Sequence, residues 1–327
     1  MSSPRRASTA IRLALALACA LAAATAFGQQ YPAKPVRLLV GFTPGGGADI
    51  SARLISQKLS ERWAKPVVVE NRPGAAGNIA ADIVAKSSPD GYTLLWAFSS
   101  HASNPALYSN LPFDINKDFT PVSLVATAPV TVAIHPGVPA RTLMELIDYA
   151  RANPGKVKFG SSGVGTPVHL GGELLMQLTG VRMTHVPYKG IAPAMAAMLA
   201  GEIDVSFPGV FSGFANFKSG RLIALAIAGK SRYPALPDVT TAAEAGLPGF
   251  EIDYWYAVLG PAGLPHSIVE QLRRDIAAIV NSPETKESLL AQGTVAVAST
   301  PEALAAQIRA EYELWSKVVK TGGVKVE

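Results

Sequence analysis

From Val36 onward, segments that read as β-strands alternate with segments that read as helices, and this alternation restricts the chain to an α/β fold. The strand-like segments are Val36–Phe42, Val67–Glu70, Thr93–Phe98, Val130–Ile134, Val157–Gly160, Met183–Val186, Ile203–Phe207, Leu222–Ile227 and Tyr254–Leu259. Several are continuously apolar, as strands buried on both faces are, so mostly parallel sheets are expected. The intervening helices carry readable ends. Thr142 with Glu145, Thr241 with Glu244 and Ser267 with Glu270 have capping-box spacing. Thr166-Pro167 and Thr300-Pro301 place a cap before a proline in the first turn, and Gly201 stops the helix Pro193–Ala200. The last helix, Glu302–Lys317, alternates charged and apolar residues like a surface helix packed on one side.

Two glycine-rich turns stand between a strand and a helix. The first is Phe42-Thr43-Pro44-Gly45-Gly46-Gly47-Ala48-Asp49; the second is Gly160-Ser161-Ser162-Gly163-Val164-Gly165-Thr166-Pro167. A strand, a glycine turn and a helix N-terminus together present unpaired N–H groups and the positive end of the helix dipole, which suits an anion. Neither turn has the glycine spacing of a dinucleotide fingerprint, and no lysine followed by a hydroxyl residue makes a nucleotide P-loop. The second also lacks the Gly-x-Ser-x-Gly spacing of a nucleophile elbow. In the first turn, Asp49 is expected as the helix N-cap, or else facing inward to receive a ligand ammonium. In the second, Ser161, Ser162 and Thr166 set short hydroxyls beside exposed amides, and His169 lies one turn into the helix. Ser99 and His101 follow the strand Thr93–Phe98, at the end where open sheets bind ligands. Phe207, Pro208, Phe211 and Phe214 are candidates for one cleft wall. Two anion turns on two lobes would grip the two ends of a small dicarboxylate.

The remaining features narrow the class. Arg5, Arg6 and Arg12 precede the apolar stretch Leu13 to Ala26, with no acidic residue before Asp49. This is the pattern of a signal peptide over residues 1–28, cut before Gln29, and its apolar part is short for a membrane span. The only cysteine, Cys19, lies in that leader, so a mature chain has no disulfide and no thiolate chemistry. The whole chain has 29 basic and 24 acidic residues; the leader holds three of the basic ones, leaving 26 against 24. That near-neutral balance gives no reason to expect nucleic acid or a membrane surface as a partner. The five histidines, His101, His135, His169, His185 and His266, have no metal-ligand spacing on a helix, so no metal and no cofactor are expected. The strand pattern restarts near Val125–Pro129 and again after Gly249–Asp253. Two crossings there give a discontinuous first lobe, 29–127 with 253–327, and a second lobe, 128–252.

Several segments in order resemble the Bug-type solute-binding proteins of tripartite tricarboxylate transporters. They include Tyr31-Pro32 with Pro35-Val36-Arg37, Pro44-Gly45-Gly46 with Asp49 and Arg53, Asn71-Arg72-Pro73-Gly74-Ala75 with Gly77, and Pro89-Asp90-Gly91-Tyr92-Thr93. Ser162-Gly163-Val164-Gly165-Thr166 with His169, His185-Val186-Pro187-Tyr188-Lys189-Gly190 and Gly201-Glu202-Ile203-Asp204 complete the set. The resemblance departs at Ala76 and Ala80, where relatives often carry glycine, and at Ala197, where many carry aspartate. It implies a two-lobed periplasmic binding protein fold (type II) that closes like a flytrap on a small carboxylic acid, without enzyme activity. One carboxylate would be held at Phe42–Gly46 and the other at Ser161–Thr166, with Ser99 to His101 and Phe207 lining the rest. A monomer in transient contact with membrane permease subunits is implied. Two other classes compete: a sensor domain that delivers closure to a signalling partner, and a serine hydrolase using the Ser99-Ser100 or Ser161-Ser162 loops. The hydrolase needs a histidine within reach of the serine and an oxyanion hole.

Overall fold

The computed structural model describes residues 31–324; the expected leader and its cleavage point fall outside them. Strands form two sheets. In the first, β1 (Val36–Val40), β2 (Val67–Asn71), β3 (Thr93–Phe98), β4 (Phe119–Pro129), β10 (Asp253–Pro261) and β11 (Val295–Ala296) lie in the order β11-β4-β10-β3-β1-β2. In the second, β5 (Thr131–Ile134), β6 (Lys158–Ser161), β7 (Thr184–Pro187), β8 (Val205–Ser206) and β9 (Ile223–Ile227) lie in the order β7-β6-β8-β5-β9. The helices are α1 (Gly47–Trp63), α2 (Asn78–Ala85), α3 (Ser100–Leu107), α4 (Leu143–Ala152), α5 (Pro167–Thr179), α6 (Ile191–Leu199), α7 (Val210–Lys218), α8 (His266–Val280), α9 (Pro283–Ala291) and α10 (Pro301–Gly322). None of them is long and apolar enough to cross a membrane.

The α/β class and the two-sheet architecture agree with the sequence reading; the sheets' direction does not. Both are mixed, not mostly parallel. β10 runs antiparallel to β3 and β4, and β5 runs antiparallel to β8 and β9. Apolar content reports burial on both faces, and β10 is buried that way while antiparallel: Trp255 and Ala257 face one core, Tyr256 and Val258 the other. Of β4, the longest strand among the described residues, the sequence pattern marks only the end near Val125–Pro129. Its Pro121 and Pro129 and its Thr and Ser residues mask the pattern, yet Val122 to Ala126 is wholly buried.

The helix ends mostly follow the local chemistry. Thr142 and Glu145 make a full capping box, and the Thr166 and Thr300 hydroxyls cap α5 and α10 ahead of a proline. Thr241 and Glu244 make the reciprocal pair too, but it closes a turn and no helix follows. Ser267 caps nothing, because α8 begins one residue earlier behind Pro265. Asp49 is not an N-cap either: that position falls to Gly46, and Asp49 sits in the first turn of α1. Ala76 has φ 53°, the left-handed region in which a glycine sits without cost.

The chain leaves the first sheet at Pro129 and re-enters it at Asp253. The two passages run side by side. Ala228 N–H donates to Val130 O at 2.7 Å, and Ile252 N–H donates to Ala228 O. The C-terminal helix departs from the lobe expected for 253–327. Leu304 and Ile308 pack against the first sheet, whereas Trp315, Val318 and Val319 join the core of the second.

Candidate ligand cleft

The parallel strands β1, β3 and β6 all deliver their C-terminal ends to one cleft of about 300 Å³. Its walls come from both sheets. Phe42, Phe98, Tyr254 and Tyr256 stand on one side, and Ser162, Pro167, Val168 and Ile191 on the other. Phe211 and Ser212, at the start of α7, meet Gln292 and Thr294 at a third edge. No charged side chain is among the lining residues. The groups that can meet an anion are therefore backbone amides, hydroxyls and one carboxamide.

The first glycine turn is built for this. Thr43 to Gly47 are exposed, whereas Ala48 and Asp49 are buried. The Asp49 carboxylate accepts from Gly45 N–H, from the Arg53 guanidinium and from the Asn71 amide, each at about 3 Å. Burial pushes this carboxyl up, but the Arg53, Gly45 and Asn71 donors outweigh it and hold it below the usual carboxylate range. Asp49 thus shapes the loop from behind and has its acceptors occupied, so it does not wait for a ligand ammonium. Among the described residues, the N–H groups of Gly46, Gly47, Ala48 and Asp49 find no backbone acceptor, as the start of a helix leaves them.

The second turn spends most of its donors on itself. Gly163 N–H goes to Ser161 Oγ, Gly165 N–H to His169 Nδ1, Thr166 N–H to Gly163 O and His169 N–H to Thr166 Oγ1. Ser162 faces the cleft, while Ser161 is fully buried, with Oγ 2.6 Å from His185 Nε2. That is the spacing of a nucleophile and its base, but the hydroxyl is sealed away from the cleft and no acid orients the ring. His185 instead stacks on His169 with centroids 3.8 Å apart, and burial, with the His169 charge beside it, pushes it down to about 4. His169 turns its other nitrogen to Glu173 at 3.4 Å.

The other sequence candidates stand behind the walls. His101 is fully buried, its Nδ1 at Phe98 N–H and its Nε2 at Gly77 O, so it braces the loop between β2 and α2. Ser99 is buried beside it. Phe207 is buried between Phe159 and Phe250, and its carbonyl accepts from Tyr254 Oη at 3.0 Å. The structure thus brings Phe42 and Ser162 into the lining, with Gly47 beside the predicted Gly46. It does not place Thr43, Pro44, Gly45, Gly46, Asp49, Ser99, His101, Ser161, Gly165, Thr166, His169 or Phe207 in that lining. The residues that sequence reasoning missed are Phe98, Tyr254, Tyr256 and the Gln292–Thr294 loop. Tyr254 and Tyr256 carried a usable signal: strand alternation places them on one face and Trp255 on the other. Among the described residues no cluster of three or more His, Cys, Asp or Glu side chains could hold a metal.

A family model described as the tripartite tricarboxylate transporter family receptor matches residues 51–324. The protein BugT of Bordetella pertussis is 36% identical over 307 residues, covering 93% of this chain and 94% of that relative. The R. palustris protein Rpa4515, solved with adipate, superposes with a TM-score of 0.80 at 35% identity over 91% of this chain and 100% of that one. MatC of Rhodopseudomonas palustris, with bound malate, gives 0.76 at 31% identity over 88% and 100%.

Proposed function

The chain belongs to the tripartite tricarboxylate transporter receptor family, and from that premise we propose that it captures a small carboxylic acid in the cleft and delivers it to a membrane permease of that transporter type. One observation carries the reading. The cleft lies at the C-terminal strand ends of both sheets, beneath a helix start with four uncommitted amides, and no side-chain charge lines it. An anion there is held by preorganised dipoles, whose donors need not be charged. Adipate in one structural relative and malate in another support a carboxylate as the ligand class.

Closure follows from the connections. Residues 29–127 with most of 253–327 make one lobe of this reading and residues 128–252 the other, joined by the adjacent crossings at Pro129–Val130 and Ile252–Asp253, where Pro129 pairs with Asp253. A ligand touching both walls gains its contacts only when they approach, so binding shifts the population to the closed form. The closed monomer is the shape the permease reads, and the leader over residues 1–28 places the encounter in the periplasm.

The test is a thermal-shift screen of residues 29–327, refolded from denaturant to strip any ligand carried through purification, against small mono-, di- and tricarboxylic acids. A ligand at about 100 times its Kd stabilises by about 2.7 kcal/mol. A selective rise with some acids, together with a fall in the radius of gyration by X-ray scattering, is the expected result. No response to any acid overturns the proposal.

A further inference from the structure

The two ends of the cleft are unequal, and the inequality deepens the reading just proposed, on which this inference rests. At the first glycine turn four consecutive amides, Gly46 to Asp49, are uncommitted among the described residues, whereas at the second those of Gly163, Gly165, Thr166 and His169 are bonded within the loop and only the separate N–H groups of Ser162, Val164 and Val168 are free. Between the ends lies an aromatic wall. Phe98 packs on Phe42 edge-on at 5.2 Å, on Tyr256 at 5.5 Å and on Tyr254 at 5.8 Å.

The two tyrosines differ in what their hydroxyls do. Tyr254 spends its proton on Phe207 O. Tyr256 is only 7% exposed, and among the described residues its hydroxyl has no hydrogen-bond partner. It hangs over the start of α1: a Cβ added at Gly47 would lie 2.8 Å from Tyr256 Oη. Burial pushes this phenol up to about 12, so it keeps its proton and can donate. Tyr256 lines the cleft, so its hydroxyl can donate to something polar that arrives there. Here that something shares its position with the free amides of a helix N-terminus.

We infer that the ligand is an aromatic monocarboxylic acid, its carboxylate held by the Gly46–Asp49 amides together with the Tyr256 hydroxyl and its ring against Phe42, Phe98 and Tyr254. A flat ring pairs with such a wall in edge-on or offset geometry. A second carboxylate would face Ile191 and the scattered free amides of Ser162, Val164 and Val168, with no charged side chain in the lining and no hydroxyl placed like that of Tyr256 to offset its desolvation. The cleft's size, about 300 Å³, is at the small end for ligand pockets and suits a single ring.

Calorimetric titration of the refolded protein with benzoate and phenylacetate, and with adipate and malate, tests this. Aromatic monocarboxylates are expected to bind at least about tenfold more tightly than the aliphatic diacids. Tyr256→Phe, which keeps the ring and removes the proton, is expected to weaken benzoate binding about tenfold or more, as loss of a hydrogen bond to a charged group does. Gly47→Ala, which puts a methyl group against that hydroxyl, is the second variant and is expected to weaken binding in the same direction. Diacids binding as tightly as benzoate overturn the ligand class while leaving a carboxylate receptor standing. Binding of no acid overturns the receptor reading as well. Unchanged benzoate affinity in Tyr256→Phe, or in Gly47→Ala should the first variant not fold, removes the hydroxyl from the site.

Discussion

Gly46 and Gly45 are neighbours with different reasons to be glycine. Gly45 has φ 83°, which a side chain would strain, whereas Gly46 has φ −82° and ψ 167°, which any residue adopts. A Cβ at Gly46 meets nothing closer than Thr43 O at 3.7 Å. Its glycine therefore serves access to the amides and not the turn. Gly46→Leu is expected to keep the thermal midpoint of the free protein within about 0.5 kcal/mol of stability, as surface changes do, and to abolish carboxylate binding. Retained affinity in titration would detach the first turn from the site. The importance of this turn was legible in the sequence because three adjacent glycines between a strand and a helix exceed what a tight turn needs. The role of Asp49 was not legible, because an N-cap is defined by where the helix begins, and α1 begins two residues earlier, at Gly47. The histidines show the same limit. His101 and His169 lie near the right loops, but their ring nitrogens are taken by the amides of Phe98 and Gly165, which spacing along the chain does not reveal.

At the scale of elements, strand β10 decides most of what the sequence left hidden. Its alternation was visible in Tyr254-Trp255-Tyr256, but its direction and its neighbours were not, since pairing depends on partners more than a hundred residues away in sequence. Antiparallel register sets Tyr256 opposite Phe98 and thereby assembles the aromatic wall. The opposite face of the strand carries a second consequence. Trp255 Nε1 donates to Glu311 of α10 at 2.8 Å, and Asp253, one turn of the pleat away, keeps a buried Oδ1 with no partner among the described residues. Burial pushes Glu311 up to about 7, against the Trp255 and Gln307 donors, and pushes Asp253 up to about 6, against the pull of Lys230. Both carboxyls therefore bind protons more tightly folded than unfolded. Between their ordinary values and these raised ones the folded state holds more protons, so this contribution to stability is present at low pH and is lost as pH rises towards neutrality. Glu311→Gln keeps an acceptor for the indole and removes the charge. It is expected to raise the stability at about pH 8 by about 1–2 kcal/mol and to flatten the fall between about pH 5 and 8. Denaturant unfolding at a series of pH values reads both, and a variant that is less stable at every pH would contradict the assignment.

For the molecule as a whole, the two sheets are connected three times, and the third connection bears on how the other two can move. The crossings at Pro129–Val130 and Ile252–Asp253 lie side by side, Pro129 opposite Asp253 and both crossings bonded to Ala228, which suits a hinge. α10 is different: its first half packs on the first sheet through Leu304 and Ile308, and its end enters the second core through Trp315, Val318 and Val319. Gln177 of α5 fixes that end by donating to Val318 O at 2.8 Å. A helix shared by two cores links their stabilities, because neither can melt without exposing part of the helix that the other holds. The native chain is therefore expected to unfold in one calorimetric transition despite its two sheets. Trp315 is 5% exposed, and Trp315→Ala removes most of the shared packing, at a cost of about 3–5 kcal/mol. That loss falls mainly on the second core. The variant is expected to unfold in two steps, the residues of the second sheet first, with fluorescence and calorimetric transitions no longer coinciding. Ligand added to the variant then restores coincidence, because an acid held between both walls couples the lobes by a route that does not pass through α10. A single transition of undiminished midpoint in Trp315→Ala would mean that the helix end rests on the second core without stabilising it, and the coupling would have to come from the hinge strands alone.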